Sequence, residues 1–593
     1  MTTDTGTRAR RGGDWLIDDA DPGGVFTPER LSEDHRLVGQ TATEFITNEV
    51  APALDALERK EWTEVRRLLA RCGELGLIGV DTPEDVGGVG MDKAASIVVG
   101  EAVGATASFA TSFGAQTGLA IIPILCFGTP DQQQRYLPGI LAGTTVGAYC
   151  LSEASSGSDA LAARAKATRA PDGGWILNGE KLWITNGGFA DLFIVFAKVD
   201  GEQFSAFLVE RGFPGVSHGQ EEHKMGLLGS STTPVILADA RVPAENLLGE
   251  VGRGHKIAFN VLNYGRFKLG AMCSGGAKAA IAEAVQYAAA RRQFGQPLTA
   301  FGAIQHKLGE MAIREYVVES MLYRTAGLID ERIAATGHDP ASMAAALEEF
   351  AIEASLLKVA GSEMVDFVVD EDVQIHGGNG FVRDYPAERR YRDSRVNRIF
   401  EGTNEINRLL VPGLVIKRAL KGGPAVLAAA AALRDELLGG TLPAPADPGD
   451  PRLAAAARAV AAVRRAALLT LGLAAQTFGE KLADQQEVLM LTADLCLDAF
   501  GAQSALRRAA QAAAAGHPIA AAHVDAATVA ALDAAGRADI GARTAVTATV
   551  DGDDRRTALA ALRRIFKGDP EDTVAARRRV AALVIERKGY PFA

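Results

Sequence analysis

The sequence predicts a mostly α-helical protein with a central β domain and an extra helical domain at its C-terminal end. Helix-period apolar patterns run up to residue 146 and again from about 256 to 420. Strand-like alternation lies between them, and an Ala- and Arg-rich helical pattern follows a linker. Apolar residues make up 48% and charged residues 23% of the 593 residues, which excludes a mostly disordered chain.

The composition of the chain indicates which partners it can bind and in which compartment it is found. The net charge of −11 disfavours nucleic acid as a partner. The five cysteines form no CxxC pair, so we expect no disulfide framework, no cysteine zinc site and a reducing compartment. Met1–Arg11 has no apolar secretory core, and no stretch approaches the roughly 20 apolar residues of a membrane span. A cytoplasmic location is therefore the expectation.

The first domain is expected to be helical. Residues 1–26 are polar and Gly-rich and are predicted to form a flexible tail. Residues 27–146 carry helix-period patterns, with Ser32 as the predicted cap of the first helix. A turn-rich break at 82–90 separates its earlier helices from its later ones.

The second domain, residues 147–255, reads as β structure. Asn178 and Gly179 stand between alternating apolar residues, which is the strongest short-range signal for a hairpin. Further strand-like runs follow at 192–199, 204–210 and 234–242. We therefore expect a sheet domain between two helical ones.

The remaining chain is expected to be helical, with one interruption. Residues 256–420 are predicted to form a helical bundle. Residues 421–451 are interpreted as a connecting segment that ends in a Pro/Gly/Ala linker. Residues 452–593 are predicted to be a C-terminal helical extension.

Three Gly-rich polar segments remain as candidates for chemistry after common motifs are excluded. No GxGxxG follows a strand and no GxxxxGK[ST] occurs, and no spacing of metal ligands is found, so no metal site is predicted. The segments are 149–159, 183–188, and the pair 374–381 with 399–406. Each segment alone fits an ordinary turn.

Together and in this order, the segments resemble the acyl-CoA dehydrogenase family. Its members are flavoproteins with a helical domain, a β-barrel domain and a four-helix bundle. The resemblance covers roughly residues 30–420 and includes further motifs at 83–90, 224–226, 263–267 and 291–295. The extra C-terminal region is similar to that of the very-long-chain branch.

The resemblance implies an activity and its partners. It implies FAD-dependent oxidation of a long-chain fatty acyl-CoA to the trans-2-enoyl-CoA, as in fatty acid β-oxidation. It further implies a homodimer that passes electrons to electron-transfer flavoprotein. An acyl-CoA oxidase that uses oxygen and a non-catalytic scaffold on the same fold are the alternatives.

Glu401 matches the catalytic base of the family, which removes the α proton while the β carbon passes a hydride to the flavin. Some relatives carry the base immediately before an arginine that corresponds to Arg266, and here that position is Gly265. Burial would raise the pKa of the Glu401 carboxyl towards the value that a base needs. The alternative is a helix N-terminal carboxylate beside Gly402, stabilised by the helix dipole.

The resemblance also implies which residues contact FAD. They are Tyr149, Leu151, Ser152, Trp183, Thr185, Arg291, Gln293, Phe294, Gln374, Gly377, Gly378, Thr403 and Glu405. Arg291, Gln293 and Phe294 would reach the pyrophosphate across a dimer interface. A core position is the alternative for Trp183, and a surface salt bridge is the alternative for Arg291.

Substrate contacts are implied at Ser158, Arg266 and Gly402. Ser158 and Arg266 match positions that touch the CoA part, although a structural ion pair is the alternative for Arg266. The family lines the acyl end of its cavity at positions that here hold small residues, which would permit a long chain: Ala110, Ser112, Gly114 and Ala115.

The C-terminal extension carries basic clusters but no recognisable catalytic residues. The clusters are Arg464-Arg465, Arg507-Arg508, Arg555-Arg556, Arg563-Arg564 and Arg577–Arg579. A face made of them would give weak peripheral contact with an anionic membrane. A solvated helix surface is the more ordinary interpretation.

Overall fold

Helices precede and follow one mixed sheet along the chain, in the order that the sequence predicts. The computed structural model describes residues 10–17, 24–337, 339–440, 442–568 and 570–592. The predicted fold class, mostly helical with a central sheet and an extra C-terminal helical region, is confirmed.

The N-terminal region is helical up to residue 141. Ser32 caps the first helix as predicted, since its hydroxyl accepts a hydrogen bond from the backbone N–H of His35. Short π-helical segments at Ile46–Val50 and Ala115–Ala120 link neighbouring helices. The helices are α1 Glu33–Phe45, α2 Ala51–Glu58, α3 Trp62–Glu74, α4 Lys93–Gly104, α5 Ala107–Gly114, α6 Ile121–Phe127 and α7 Pro130–Leu141.

The central sheet contains eight strands. They are β1 Gly147–Cys150, β2 Lys166–Arg169, β3 Trp175–Thr185, β4 Leu192–Val199, β5 Gln203–Glu210, β6 Val216–His218, β7 Thr232–Val242 and β8 Leu247–Leu248. Their pairings run β6-β7-β3-β2-β4-β5-β8, and β1 joins β4 in parallel. In the described residues this path is open, because β6 and β8 at its ends are short and do not pair with each other.

The hairpin expected at Asn178-Gly179 is wrong. Both residues lie inside β3, which pairs with β7 along its length, and the register shifts between Leu177 and Gly179 as at a β-bulge. A Cβ at Gly179 would lie 2.7 Å from the Cβ of Ala165, so the glycine allows a close approach of another chain segment. The prediction failed because a β-bulge and a tight turn favour the same residue types between strand-like runs.

A bundle of long helices follows the sheet. It comprises α8 Gly254–Ala290, α9 Gly302–Thr336, α10 Pro340–Glu349, α11 Ala351–His376, α12 Pro386–Ser394 and α13 Asn404–Leu420. After α8 a two-stranded hairpin forms from β9 Arg292–Gln293 and β10 Gln296–Pro297. Helices α8 and α11 pack against each other along the bundle, and α8 also packs against α4.

The C-terminal extension is a second group of helices. It comprises α14 Val426–Gly439, α15 Ala454–Phe478, α16 Gln486–Ala514, α17 Ala520–Thr549, α18 Gly552–Ile565 and α19 Thr573–Arg587. Helix α14 lies in the predicted connecting segment 421–451, so the irregular parts of that segment among the described residues are 421–425 and the stretch after the helix. Helices α16 and α19 pack against α9 of the bundle.

The predicted flexible tail is wrong for the part that the structure describes between residues 10 and 17. Trp15 and Leu16 are buried in a 3-10 turn, and the Trp15 ring lies 5.1 Å from that of Phe500 on α16. The indole Nε1 of Trp15 donates to Glu353 Oε1 at 2.9 Å. The polar, Gly-rich composition of this segment gave no sign that Trp15 packs into the core. Residues 1–9 and 18–23 of the predicted tail lie outside the described residues.

Two helical stretches have the length and apolar character of a membrane span, contrary to the expectation from sequence. They are Ala107–Phe127 and Pro451–Asp484, whose mean hydropathy over the most apolar window is 1.5 and 1.3. Of these windows, 78% and 67% are buried inside the fold, as is usual for core helices.

Several arginines of the C-terminal clusters point into the fold or form ion pairs. Arg508 is fully buried and pairs with Glu319 and Glu29. Arg577 pairs with Glu310 on α9 at 2.9 Å, and Arg579 pairs with Asp525. These clustered arginines therefore help to pack helices together, because their acidic partners lie far away along the chain.

Candidate active site

Two cavities meet at Glu401. The larger one lies between the sheet domain, the start of α8 and the start of α13. The second runs between α5 and α8 and encloses about 1340 Å³ of empty space including its open end. Both are lined by the same set of residues where they join: Thr111, Ala115, Leu119, Thr185, Leu227, Phe400 and Glu401.

Glu401 lies in an unusual backbone conformation just before α13. Its φ of 57° is in the left-handed region, which non-glycine residues seldom adopt. Thr403 caps the helix that follows, since its hydroxyl accepts from the backbone N–H of Ile406 at 3.3 Å. The side chain of Glu401 thereby projects away from the helix into the junction of the cavities.

The carboxylate of Glu401 has few polar neighbours. Its Oε2 is buried and accepts no hydrogen bond from a described residue. Burial raises the pKa of Glu401 to about 7, and the nearby cations Arg266 and Lys358 oppose that rise. A carboxyl group in this environment can take up a proton near neutral pH.

Gly265 leaves the space that Glu401 occupies. A Cβ at this position would lie 2.6 Å from Glu401 Oε2, too close for a real contact. The sequence showed only that Gly265 carries no competing carboxylate. The structure adds that any side chain there would displace the one at Glu401.

Arg266 is buried and bound to the backbone of Glu401. Its Nε donates to the carbonyl oxygen of Glu401 at 3.1 Å, and its Nη1 donates to Asn263 Oδ1 at 3.1 Å. The ion pair offered as its alternative role is not formed within 4 Å by a described residue. Arg266 also lines the larger cavity, so it can both support the backbone of Glu401 and contact a ligand.

Five of the residues implied for the cofactor line one side of the larger cavity: Tyr149, Leu151, Ser152, Trp183 and Thr185. Trp183 is 59% exposed and has a φ of 57°, so the alternative of a core position does not hold. An exposed indole beside hydroxyl groups in a large cleft fits a flat aromatic ligand. Ser158, Gly402 and Thr403 line the same cavity.

Seven other implied residues are exposed on the surface of the chain and line neither cavity. They are Arg291, Gln293, Phe294, Gln374, Gly377, Gly378 and Glu405. The first three belong to or adjoin the β9–β10 hairpin, where Phe294 is 93% exposed. No described residue forms an ion pair with Arg291. The assignment of all seven residues to FAD, and of Arg291, Gln293 and Phe294 to FAD across a dimer interface, stays a prediction.

Small residues line the second cavity on both sides. Ala110, Gly114 and Ala115 face it from the α5 side, whereas Ser112 is buried elsewhere and its carbonyl accepts from Asn186. Opposite them, a stripe of α8 lines the cavity at a spacing of three or four residues: Gly265, Lys268, Leu269, Met272, Cys273 and Gly276.

Basic residues along the rim of the larger cavity were missed by sequence reasoning. They come from three distant parts of the chain: Lys224, Lys256, Lys417, Arg418 and Lys421. Burial lowers the pKa of Lys224 to about 8. Clustered cations of this kind suit phosphate groups. Apart from Lys224, which belongs to the motif at 224–226, no local pattern signals them, because their proximity arises only from the fold.

Asn407 and Lys358 were also missed. Asn407 is buried and its amide faces the backbone of Glu401, Gly402 and Thr403. Lys358 is buried on α11 and its Nζ donates to Asn404 Oδ1 at 2.6 Å. An asparagine and a lysine in helices carry no functional signal in one sequence.

Two side-chain groups outside the cavities have ligand atoms within 4.8 Å of one another, the spacing a metal ion needs: Glu283 with Asp372 and His376, and Glu101 with Glu315 and Glu319. Protein cations already contact both groups. Arg390 pairs with Glu283 at 2.9 Å, and Lys278 pairs with Glu101 at 2.8 Å. They are therefore read as ion-pair networks between helices.

Comparison with known proteins identifies the family. Family models described as acyl-CoA dehydrogenase N-terminal, middle and C-terminal domains match residues 32–144, 148–240 and 252–412. A further acyl-CoA dehydrogenase C-terminal domain model matches residues 462–564, within the extension.

Relatives match either nearly the whole chain or about two thirds of it. A probable acyl-CoA dehydrogenase of Bacillus subtilis (strain 168) is 43% identical over 98% of both chains. The mitochondrial very long-chain specific acyl-CoA dehydrogenase of Bos taurus is 42% identical over 65% of this chain and 58% of its own. A crystal structure of an acyl-CoA dehydrogenase from Bacillus anthracis, complexed with FAD, superimposes with a TM-score of 0.95. It is 44% identical and covers 98% of this chain and 100% of that one. The resemblance is confirmed, and the chain belongs to the acyl-CoA dehydrogenase family.

Proposed function

We propose that the protein is an FAD-dependent enzyme that oxidises a long-chain fatty acyl-CoA to the trans-2-enoyl-CoA. One observation carries the proposal. The buried carboxylate of Glu401 lies where a large cleft meets a cavity lined by small and apolar residues. FAD occupies the cleft and the acyl chain occupies the cavity, so Glu401 is placed beside the carbons that react.

The residues of the large cleft fit FAD. Trp183, Tyr149 and Leu151 offer aromatic and apolar surface, and Ser152 and Thr185 offer hydroxyl groups. When bound, FAD supplies the acceptor for the hydride that leaves the β carbon. The basic rim, including Lys224 and Lys417, suits the phosphates of the cofactor or of CoA.

Glu401 acts as the base in this proposal. In the carboxylate form it takes the proton from the α carbon of the thioester, and the low polarity around Oε2 keeps its proton affinity high. The backbone N–H of Glu401 donates to no described residue. It is therefore free to donate to the thioester oxygen, where negative charge develops as the proton leaves.

The dimensions of the second cavity support a long acyl chain. Its α8 side extends from Gly265, beside Glu401, to Gly276. This is three turns of helix, or roughly 16 Å at 1.5 Å per residue. Gly104, Gly114 and Gly118 on the opposite side keep that length open. A short-chain substrate would leave most of this space empty.

Two partners belong to the proposal. Electron-transfer flavoprotein accepts the electrons, and a second copy of the chain brings Arg291, Gln293 and Phe294 to the cofactor. The exposed position of the hairpin, with Phe294 almost fully in solvent, supports the second point because a lone protomer gains nothing from it.

A chain-length series tests the proposal. The purified protein is loaded with FAD and given saturated acyl-CoAs of increasing length with an artificial electron acceptor in the absence of oxygen. We expect a yellow protein, enoyl-CoA as product and best turnover with long chains. A protein that cannot be loaded with FAD would overturn the proposal.

The electron acceptor is tested with the same protein. After reduction by substrate, the enzyme is mixed either with air or with electron-transfer flavoprotein. A dehydrogenase is expected to reoxidise quickly with the flavoprotein and slowly with air. Rapid recolouring in air with peroxide formation would instead identify an acyl-CoA oxidase.

A further inference from the structure

Three backbone carbonyls around Glu401 point at one side chain. The Nδ2 of Asn407 donates to the carbonyl oxygens of Gly402 at 2.8 Å, Thr403 at 3.0 Å and Glu401 at 3.4 Å. Asn407 is fully buried in the first turn of α13. One amide nitrogen therefore hydrogen-bonds to three consecutive residues of the turn that carries the predicted base.

This turn needs external support. Glu401 has a φ of 57°, a conformation that costs energy for a residue with a side chain and persists only where its surroundings hold it. Gly402 follows with a φ of 79°. The carbonyl of Glu401 receives a second donor, Arg266 Nε, at 3.1 Å.

The arrangement separates the fixed side of the turn from its free side. The carbonyl oxygens bind to Asn407 and Arg266 inside the protein. The N–H and carboxylate of Glu401 have no described partner, and Glu401 lines both cavities. The Oδ1 of Asn407 is itself buried without a described partner. Such an atom is unfavourable for stability, so an apolar residue would suit packing alone better.

We propose that Asn407 is a positioning residue for Glu401. By binding the carbonyls of residues 401–403, its amide holds the left-handed turn and so directs the Glu401 carboxylate at the α carbon. The role in the reaction rests on the proposed function. The role in holding the turn does not, and it can be measured separately.

The test compares Asn407→Ala with a matched control, Asn246→Ala. Asn246 is also buried, and its Nδ2 donates to the Leu208 carbonyl and the Tyr136 hydroxyl at 2.7 Å. It lines neither cavity. For Asn407→Ala we expect turnover per bound FAD to fall about ten- to a hundredfold with KM nearly unchanged, because a misplacement of about 1 Å can cost that much. The control should lose stability but keep turnover.

A second variant guards against simple loss of packing. Asn407→Asp keeps the shape but turns the amide donor into an acceptor that faces three carbonyls. We expect a loss at least as large as for Asn407→Ala. The acidic limb of its pH–rate profile should also move to higher pH, since a like charge raises the pKa of Glu401.

Hydrogen exchange of the full-length protein completes the test. The backbone amides of residues 406 and 407 donate to the hydroxyl and the carbonyl of Thr403 at 3.3 and 3.0 Å. These amides should exchange faster in Asn407→Ala than in wild type, and those in Asn246→Ala should not. The proposal would be overturned if these amides exchange in Asn407→Ala as slowly as in wild type, or if turnover per bound FAD in Asn407→Ala is unchanged. If wild-type protein oxidises no acyl-CoA, the proposed function fails, whereas the exchange data still decide whether Asn407 holds the turn.

Discussion

At the scale of single residues, the site depends on one carboxylate under opposing influences. Loss of water around Glu401 raises its pKa, while the cations Arg266 and Lys358 limit that rise. The outcome, a pKa of about 7, lets Glu401 be a carboxylate at neutral pH and still hold a proton well. A fully exposed glutamate would be a much weaker base.

The pH dependence of turnover follows from this balance. Glu401 must be unprotonated to take the α proton, so kcat/KM for an acyl-CoA should rise with pH through about 7 and level off above it. Steady-state rates between acidic and mildly alkaline pH, with an artificial acceptor, measure the profile. An acidic limb near 4.5, the ordinary range of a glutamate, would show that burial does not set the pKa.

The sequence predicted Glu401 but not the residues that hold it. Glu401 stands out because Gly402 and Thr403 follow it in a motif that resembles the family's. Lys358 reaches Asn404 across the fold, whereas Asn407 binds carbonyls only four to six residues before it. Neither residue type is unusual in a helix. Arg266 was expected to touch substrate, and its hydrogen bond to the Glu401 carbonyl shows a structural role as well.

At the scale of elements, two facing helices line the cavity proposed for the acyl chain. Gly114 on α5 approaches Met272 on α8, and Gly104 lies close to Gly276 near the far end. Small residues at these positions keep the helices close while leaving a passage between them. Chain-length preference should therefore depend on side-chain volume along this passage.

Enlarging Gly114 tests that dependence. In Gly114→Leu the new Cβ would meet only the mobile end of Met272, at 2.9 Å, so the helix can accommodate it while the cavity is shortened. We expect the optimum of kcat/KM to move to shorter acyl-CoAs. The control is Gly413→Leu on α13, where an added side chain meets nothing within 4 Å. An unchanged optimum in Gly114→Leu would contradict this assignment of the cavity.

The secondary structure also differs from the sequence-based prediction at particular positions. Order and type of the helical and sheet regions followed from apolar periodicity, which depends on burial. The Asn178-Gly179 bulge has the sequence typical of a hairpin because both structures use the same residue types, and only the pairing of β3 with β7 distinguishes them. Trp15 was overlooked because its anchor, Glu353, is more than three hundred residues away in sequence.

At the scale of the whole molecule, buried charges join the extension to the bundle. Arg508 on α16 donates to Glu319 on α9 at 2.5 Å, to Glu29 at 2.7 Å and to the carbonyl of Phe592 at 3.1 Å. Arg508, together with Lys278, holds the pKa of Glu319 well below its usual range although burial alone would raise it. One arginine of a sequence cluster thus connects three distant parts of the chain, which composition cannot reveal.

Removing this arginine should loosen the extension. Arg508→Leu takes away the cation that Glu29 pairs with and leaves Glu319 paired with Lys278 alone among the described residues. Breaking a buried pair typically costs about 3–5 kcal/mol. A lower Tm and faster proteolysis after residue 440 are expected. Arg556→Leu is the control, since that exposed arginine contributes at most about 1 kcal/mol. Equal stability of the two variants would refute the anchoring role of Arg508.

The central claim is that Glu401 takes the α proton of an acyl-CoA in an FAD enzyme. It is tested most directly by mixing FAD-loaded wild type and Glu401→Gln with a long-chain acyl-CoA without oxygen and following the flavin absorbance. Wild type should bleach. Glu401→Gln should keep its FAD and its substrate binding, yet bleach at least about a hundredfold more slowly, because the base is lost. Bleaching of Glu401→Gln at the wild-type rate would contradict the account.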